Sequence, residues 1–195
     1  MPAVHFITHP EVVIDPAVPV PDWGLSPLGQ ARLRACRDAP WTRGIGAVFA
    51  STERKAREAA AILAEPRGLA VGIHAGLGEN DRSATGYLPK AEFEAVADQF
   101  FAHPTTSIRG WERAVDAQAR IVAAVEDILR GAPPLCDLAL VAHGGVGALL
   151  LAHLSGRPIS RALDQPGGGG GNRFVFDAAS LRVLRNWQPI ESFGG

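Results

Sequence analysis

Four short apolar runs constrain the fold of this chain more than any other feature of the sequence. They occupy residues 4–7, 45–50, 69–77 and 138–142, and each ends in a small polar turn or loop with a helical stretch further along. Strands that alternate with helices favour a mostly parallel sheet with helices on both faces. We therefore predict an α/β fold, specifically a three-layer αβα sandwich around a mostly parallel central sheet.

The boundaries of the other elements follow from local signals. Ser26 followed by Pro27 is a strong helix start, because serine caps the free N–H groups and proline suits the first helical position. Residues 111–131 carry an apolar stripe of helical period, residues 90–101 form a further helical stretch, and residues 173–177 and 181–187 read as a closing hairpin. We expect a single domain over residues 1–195 with a helical insert at about 80–113.

Chemically useful side chains follow the apolar runs. His9 comes after the first run, Ser51 and Lys55 after the second, Glu79 after the third and His143 after the fourth. Alone, each has an ordinary interpretation as a loop or surface residue. Ligands of open α/β sheets bind outside the carboxyl ends of the strands, so the set as a whole predicts a site at that edge.

Composition narrows the function. The chain has 195 residues, 47% of them hydrophobic, and a net charge of -1, which is typical of a globular protein and argues against a nucleic-acid or membrane-surface binder. Cys36 and Cys136 match no metal spacing and are expected to be free thiols in a reducing compartment. No signal-like segment or long apolar run is present, so we expect a cytoplasmic protein with neither nucleic acid nor membrane as a partner.

Six histidines raise the question of a metal site. His5 and His9 are four residues apart on a predicted strand, which separates them by roughly 13 Å, too far to share one ion. The sequence contains no HExxH or CxxC motif, and it lacks the GxSxG motif of α/β-hydrolases. We therefore expect neither a metal nor another cofactor.

Five segments together carry a family resemblance. They read ITHP (7–10), LSPLGQARL (25–33), FASTERKAREAAAIL (49–63), LGEN (77–80) and VAHGGVGALLL (141–151). In order, spacing and predicted context they resemble the histidine phosphatase superfamily, the phosphoglycerate mutase-like proteins. That family has a first strand ending in Arg-His-Gly, a strand ending in serine with a downstream arginine, a Leu-x-Glu segment and a strand ending in Ser-His-Gly-Gly.

The resemblance implies a mechanism. His9 would attack a phosphomonoester and form a phosphohistidine that water then hydrolyses. Glu79 would protonate the leaving oxygen, and His143 would donate a hydrogen bond to the transferring phosphoryl group. No metal or other cofactor is required by this chemistry. Ser51 would contact the phosphate beside them.

Three positions depart from the family pattern. Thr8 and Pro10 stand where an arginine and a glycine are expected around the nucleophile, and Lys55 stands at the second family arginine. Thr8 can donate one hydrogen bond to phosphate but carries no charge, and Lys55 keeps a charge without the planar fork of arginine. Arg82, three residues after Glu79, is the preferred substitute for the missing charge.

Three functions remain open from the sequence. The first is a phosphomonoesterase acting on a small phosphorylated metabolite, which the retained histidines and glutamate favour. The second is phosphoglycerate mutase-type phosphoryl transfer, which the short segment at 80–111 disfavours. The third is a catalytically weak, anion-binding or regulatory member of the family, which the lost arginine and the proline favour. Neither the substrate nor whether the protein is a homodimer can be decided.

Overall fold

The central sheet has six strands, and the computed structural model describes residues 2–133 and 135–192. The strands are β1 (Ala3–Thr8), β2 (Ile45–Ala50), β3 (Val71–Ile73), β4 (Asp137–Ala142), β5 (Asn172–Asp177) and β6 (Val183–Pro189). Their order across the sheet is β3-β2-β4-β1-β5-β6. The first four strands are parallel, and the β5–β6 hairpin adds two antiparallel strands beside β1. The predicted α/β class, mostly parallel sheet and closing hairpin are confirmed.

Five α-helices accompany the sheet in the described part of the chain. They are α1 (Pro27–Cys36), α2 (Arg54–Ala64), α3 (Lys90–Ala102), α4 (Ala114–Gly131) and α5 (Gly144–Leu154). The predicted start of α1 is confirmed, since the Ser26 side chain accepts a hydrogen bond from the Gly29 N–H at 3.1 Å. The third apolar run pairs with the sheet only at Val71–Ile73, so its strand is shorter than the nine residues predicted.

Helices cover both faces of the sheet and complete the predicted three layers. The α1 and α2 helices pack on one face around Leu33 and Leu63, and α4 and α5 pack on the other around Ile121 and Leu150. On the second face, Phe6 of β1 stacks on Phe174 of β5 with ring centroids 5.0 Å apart. Burying one such side chain fully stabilises a fold by roughly 1.5–3 kcal/mol. This core helps to hold β1 in place between β4 and β5.

The segment between β3 and α4 forms a separate small cluster. Val96 and Phe100 of α3 pack with Trp111 and with Ala117 and Leu149 of α4 and α5. The α3 helix therefore lies on other helices rather than on the sheet. It stands beside the edge where the parallel strands end, and so it contributes a wall to whatever site that edge carries.

Strand register brings the predicted site residues to one edge. Thr8 of β1 pairs with Ala142 of β4, and Ala50 of β2 pairs with Val141 of the same strand. The residues that follow these strand ends are the predicted site residues of the first, second and fourth runs. Parallel strands in this register place their next residues side by side.

Candidate active site

The backbone of His9 is held from two sides. Its N–H donates to the carbonyl of Ala142 at 3.2 Å, and its own carbonyl accepts from the N–H of Gly171 at 3.1 Å. Gly170 has φ of +66°, and a Cβ there would lie 2.1 Å from the His9 oxygen, so only glycine fits against this carbonyl. The glycine run, residues 167–171, therefore packs directly on the predicted nucleophile.

The His9 ring is set up to present one nitrogen. Its Nδ1 lies 2.9 Å from the carbonyl oxygen of Pro10, and because a carbonyl can only accept, Nδ1 carries the proton. The Nε2 lone pair has no hydrogen-bond donor within residues 2–133 and 135–192. Burial, with a further contribution from the neighbouring His143, lowers the pKa of His9 to about 3 although the Pro10 carbonyl opposes this. The ring is consequently neutral at physiological pH, as a nucleophile must be.

His143 lies directly beside His9 at the N-terminus of α5. The two ring centroids are 5.2 Å apart and the rings are tilted by 67°. The Nε2 of His143 is 2.8 Å from the Ser51 hydroxyl oxygen and 3.2 Å from a Glu53 carboxylate oxygen. Burial lowers its pKa, outweighing the opposite effects of Glu53 and Glu79. Its Nδ1 is buried and has no hydrogen-bond partner among residues 2–133 and 135–192.

Glu79 is anchored on the first turn of α5. Its carboxylate accepts from the N–H groups of Gly145 at 3.1 Å and Val146 at 3.0 Å, and also from the N–H of Asn80. A carboxylate is favoured there because the unpaired N–H groups give the helix start a partial positive charge. A Cβ at Gly145 would come within 2.7 Å of the Glu79 oxygen, which explains why glycine occupies this position.

Lys55 is paired rather than free. Only 3% of the residue is exposed, and its ammonium donates to the Val20 carbonyl at 2.8 Å and to the Glu53 carboxylate. Burial of Glu53 raises the pKa of its carboxyl, but His143, Lys55 and the Glu79 N–H together lower it to about 2. The positive charge predicted for phosphate is therefore compensated by an acid two residues away. A phosphate contact of Lys55 stays a prediction.

Thr8 faces the loop that precedes β5. Its hydroxyl donates to the Gln165 side-chain oxygen at 2.7 Å and accepts from the N–H of Asn172 at 3.0 Å. The residue is 1% exposed. Thr8 thus links the end of β1 to the glycine run, and its predicted phosphate contact also stays a prediction.

A cavity of about 770 Å³ opens above His9 and Glu79. Its far side is an aromatic wall, which we define as Arg82, Phe93, Phe100 and Trp111. The Arg82 guanidinium lies over two of these rings, 5.0 Å from the centroid of Phe93 and 5.6 Å from that of Trp111. Among the residues described, no carboxylate lies within ion-pair distance of Arg82, so its charge is available to the cavity.

We use the name strand-end cluster for the polar groups below the cavity. Its members are His9, Ser51, Glu53, Lys55, Glu79 and His143. The structure thus brings the predicted residues together, with Arg82 across the cavity and Thr8 beside β5. No group of three or more histidine, cysteine, aspartate or glutamate side chains in the described ranges is arranged to hold a metal. In the same ranges no helix has the length and apolar character of a membrane span.

Two site residues escaped sequence reasoning. Glu53 is in contact with His143, Lys55 and the Glu79 backbone, and its signal was an acid directly after the strand-end turn at Ser51. Asn80 is buried and lines the cavity, and its side-chain nitrogen has no acceptor among the described residues. Its only signal was its position next to Glu79.

Comparisons with known proteins agree with this architecture. Mycobacterial glucosyl-3-phosphoglycerate phosphatase, solved with inorganic phosphate, is similar with 24% identity and a TM-score of 0.75 over 96% of this chain and 95% of that chain. The same enzyme solved with VO3 gives 26% identity and a TM-score of 0.76 over 95% and 98%. Bacillus stearothermophilus YhfR gives 18% identity and a TM-score of 0.76 over 95% of both chains.

Sequence comparisons give the family. No curated protein matches the chain. The sequence model of the histidine phosphatase superfamily (branch 1) matches residues 16–183, a stretch that includes Glu79 and His143 and begins after His9. The match covers most of the sequence. The solved structures named above are similar in fold over 95% or more of the chain. The chain belongs to the histidine phosphatase superfamily.

Proposed function

We propose that this protein is a metal-independent phosphomonoesterase that acts on a small phosphorylated metabolite through a phosphohistidine intermediate. The observation that carries the proposal is the geometry of His9: a neutral imidazole with Nδ1–H fixed on the Pro10 carbonyl and Nε2 free below a cavity. A histidine in this state is a ready nucleophile toward phosphorus. Membership of the superfamily supports the same reading.

The reaction has two balanced steps. In the first, Nε2 of His9 forms a bond to phosphorus as the P–O ester bond breaks, and protonated Glu79 gives its proton to the departing alkoxide. In the second, water attacks phosphorus as the P–N bond to His9 breaks and its electron pair returns to Nε2, while the Glu79 carboxylate takes a proton from the water. Inorganic phosphate leaves, and His9 is neutral again. The hydrogen bonds from Gly145 and Val146 hold the Glu79 carboxyl beside the two histidines, where it faces both the leaving oxygen and the attacking water.

The negative charge on the transferring phosphoryl group has to be stabilised by hydrogen-bond donors. The Asn80 side chain and His143, each with a buried nitrogen that has no partner among the described residues, are the candidates beside His9, and Arg82 faces the cavity from the aromatic wall. Donors already in place at a water-poor site act more strongly than in bulk water, because they need not reorient during the reaction. A related fold that was solved with inorganic phosphate and with VO3 supports an anion site in this architecture.

Binding of an anion without turnover is the second candidate function. The pairing of Lys55 with Glu53 favours it, because it compensates the charge at the position where the family carries an arginine. Thr8 likewise supplies no charge at the other arginine position. Turnover therefore has to be measured.

The test is phosphate release from a panel of phosphomonoesters by the parent protein and by His9→Ala. His153→Ala is the matched control, since this histidine is exposed on α5. We expect release by the parent and the control and none by His9→Ala. No release from any substrate would reject the phosphatase, and release by His9→Ala would reject the nucleophile. Conversion of 3-phosphoglycerate to its isomer without release would instead indicate a mutase.

A further inference from the structure

Glu53 contacts three groups of the strand-end cluster at once. One carboxylate oxygen lies 3.2 Å from Nε2 of His143 and accepts from the Glu79 N–H at 3.0 Å, while the other pairs with the Lys55 ammonium. Nothing in the mechanism proposed above uses this acid. Because Glu53 is ionised, with a pKa of about 2, its effect on neighbouring protons is large.

The contact with Glu53 decides which nitrogen of His143 carries a proton. An ionised carboxylate only accepts hydrogen bonds, so its approach to Nε2 is favourable when Nε2 is protonated. The Ser51 hydroxyl oxygen, 2.8 Å from the same nitrogen, accepts from this N–H as well. In a neutral ring the remaining nitrogen, Nδ1, then has a lone pair, and Nδ1 is the buried atom without a partner.

Phosphoryl oxygens also accept and do not donate. A neutral His143 with its proton on Nε2 would therefore turn a lone pair toward the phosphoryl group, and the two would repel each other. A second proton, on Nδ1, removes the conflict and makes the ring an imidazolium with one N–H for Glu53 and one for the ligand. The site would then contain the cation that Thr8 does not supply.

We propose that Glu53 is a positioning residue that holds His143 by its Nε2–H and stabilises the imidazolium form when a tetrahedral dianion binds, so that binding takes up one proton at His143. The inference rests on the proposed function for the place where the dianion binds. It concerns a residue that the family pattern used above does not include.

Charges of both signs surround His143. Glu53 from the β2–α2 turn and Glu79 from the segment after β3 favour the charged ring, whereas Lys55 of α2 and Arg82 across the cavity oppose it. The His9 ring of the adjoining strand end is neutral. Burial opposes the charge and keeps the pKa of His143 low in the free protein, so the proton has to arrive with the ligand.

Calorimetric titration with sulfate tests the inference without requiring turnover. Sulfate is a tetrahedral dianion whose own charge does not change near neutral pH, so titrations in two buffers of different ionisation enthalpy count the protons taken up by the protein. We expect about one proton per sulfate for the parent and for Glu126→Gln, a control at an exposed acid of α4. For Glu53→Gln we expect little uptake and binding weaker by about tenfold, the equivalent of one pKa unit.

Imidazole ¹⁵N spectra of the sulfate-bound parent identify the group that is protonated. Both nitrogens of His143 should carry protons with sulfate and only Nε2 without it, with the signal assigned by its loss in His143→Gln. This measurement needs no folded Glu53 variant. Uptake of no proton, no binding of sulfate, protonation at Glu79 instead of His143, or unchanged binding and uptake in Glu53→Gln would each overturn the inference. Proton uptake at His143 without phosphate release from any ester would support the inference about Glu53 and reject the phosphatase.

Discussion

The strand-end cluster and the aromatic wall face the same cavity but are built in different ways. The cluster follows directly from the ends of parallel strands, so sheet register fixes its positions. The aromatic wall comes from the loop and helix between β3 and α4, which pack on other helices and not on the sheet. The fold therefore fixes the positions of the strand-end cluster, whereas the aromatic wall depends on the segment between β3 and α4.

Charge is distributed differently in the two regions as well. In the cluster, Lys55 is buried and compensated by Glu53, whereas in the wall Arg82 is half-buried on two aromatic rings without an acidic partner in the described residues. A charge that is compensated by a neighbour attracts a ligand weakly, and a charge without a neighbour of opposite sign attracts it more strongly. We therefore expect the cluster to determine chemistry and stability, and the wall to determine binding.

Removing the Glu79 carboxyl of the strand-end cluster should give the largest effect on activity. We expect Glu79→Gln to lower kcat/KM by about 10²–10⁴-fold on an alkyl phosphate, because kcat/KM reports formation of the phosphohistidine and glutamine cannot protonate the leaving oxygen in that step. With 4-nitrophenyl phosphate the loss should be far smaller, since nitrophenolate leaves without a proton. Steady-state kinetics on both substrates make the comparison. Equal losses on the two esters would show that Glu79 is not the general acid.

Breaking the buried ion pair between Lys55 and Glu53 should mainly lower the stability of the fold. Lys55→Met leaves Glu53 buried without its ammonium partner, and we expect the free energy of unfolding to fall by about 3–5 kcal/mol. The double variant Lys55→Met/Glu53→Leu should recover most of this loss, because it removes both charges. Urea unfolding of the parent, the single variant and the double variant measures both the loss and the recovery of unfolding free energy. A double variant no more stable than the single one contradicts the pairing.

Removing the cation of the wall should act on binding. We expect Arg82→Ala to raise KM by about tenfold or more, with kcat changed by less than about threefold, because a charge-assisted hydrogen bond contributes about 1.5–3 kcal/mol. Arg157→Ala, at an exposed arginine beyond α5, is the matched control. A fall in kcat at unchanged KM would place Arg82 with the chemistry instead, and the division between the two regions would fail.

Acid should destabilise the fold through the histidines of the cluster, and this is the smallest effect. The pKa of His9 is about 3 in the folded protein and about 6.5 when unfolded, so the unfolded state binds more protons between these values and stability falls as pH falls. We expect a loss of about 1 kcal/mol from His9 between pH 6.5 and 5.5. Unfolding free energies of the parent and His9→Gln across this range should show a shallower slope in the variant. Parallel curves would mean that the pKa of His9 is the same in the folded and the unfolded protein.

Local signals in the sequence predicted most of the fold. The start of α1 needed only Ser26 and Pro27, because a capping bond joins residues three apart. The third strand was predicted too long, since only residues 71–73 reach β2 at the edge of the sheet, and His74 then caps a 3₁₀ turn at Ala75–Leu77. An apolar run does not show where its strand partner ends.

The contacts that define the site were beyond local signals. Glu53 binds the Glu79 N–H, Thr8 binds Gln165, and Gly170 packs on the His9 carbonyl, over separations of 26, 157 and 161 residues. Such pairs depend on the order of strands across the sheet, and above all on β1 lying between β4 and β5. The family resemblance supplied the site residues but not these partners, because the family pattern does not include them.

The central place of β1 has a consequence for the order of folding. Both of its neighbours are encoded more than 130 residues later, and the glycine run that holds His9 comes only just before β5. During synthesis the first strand, with its row of buried side chains, emerges long before any strand that can pair with it. A chain that stops before residue 167 contains every predicted catalytic side chain and still lacks the glycine run that holds the His9 carbonyl. Phosphate release would therefore report that the last hairpin has docked.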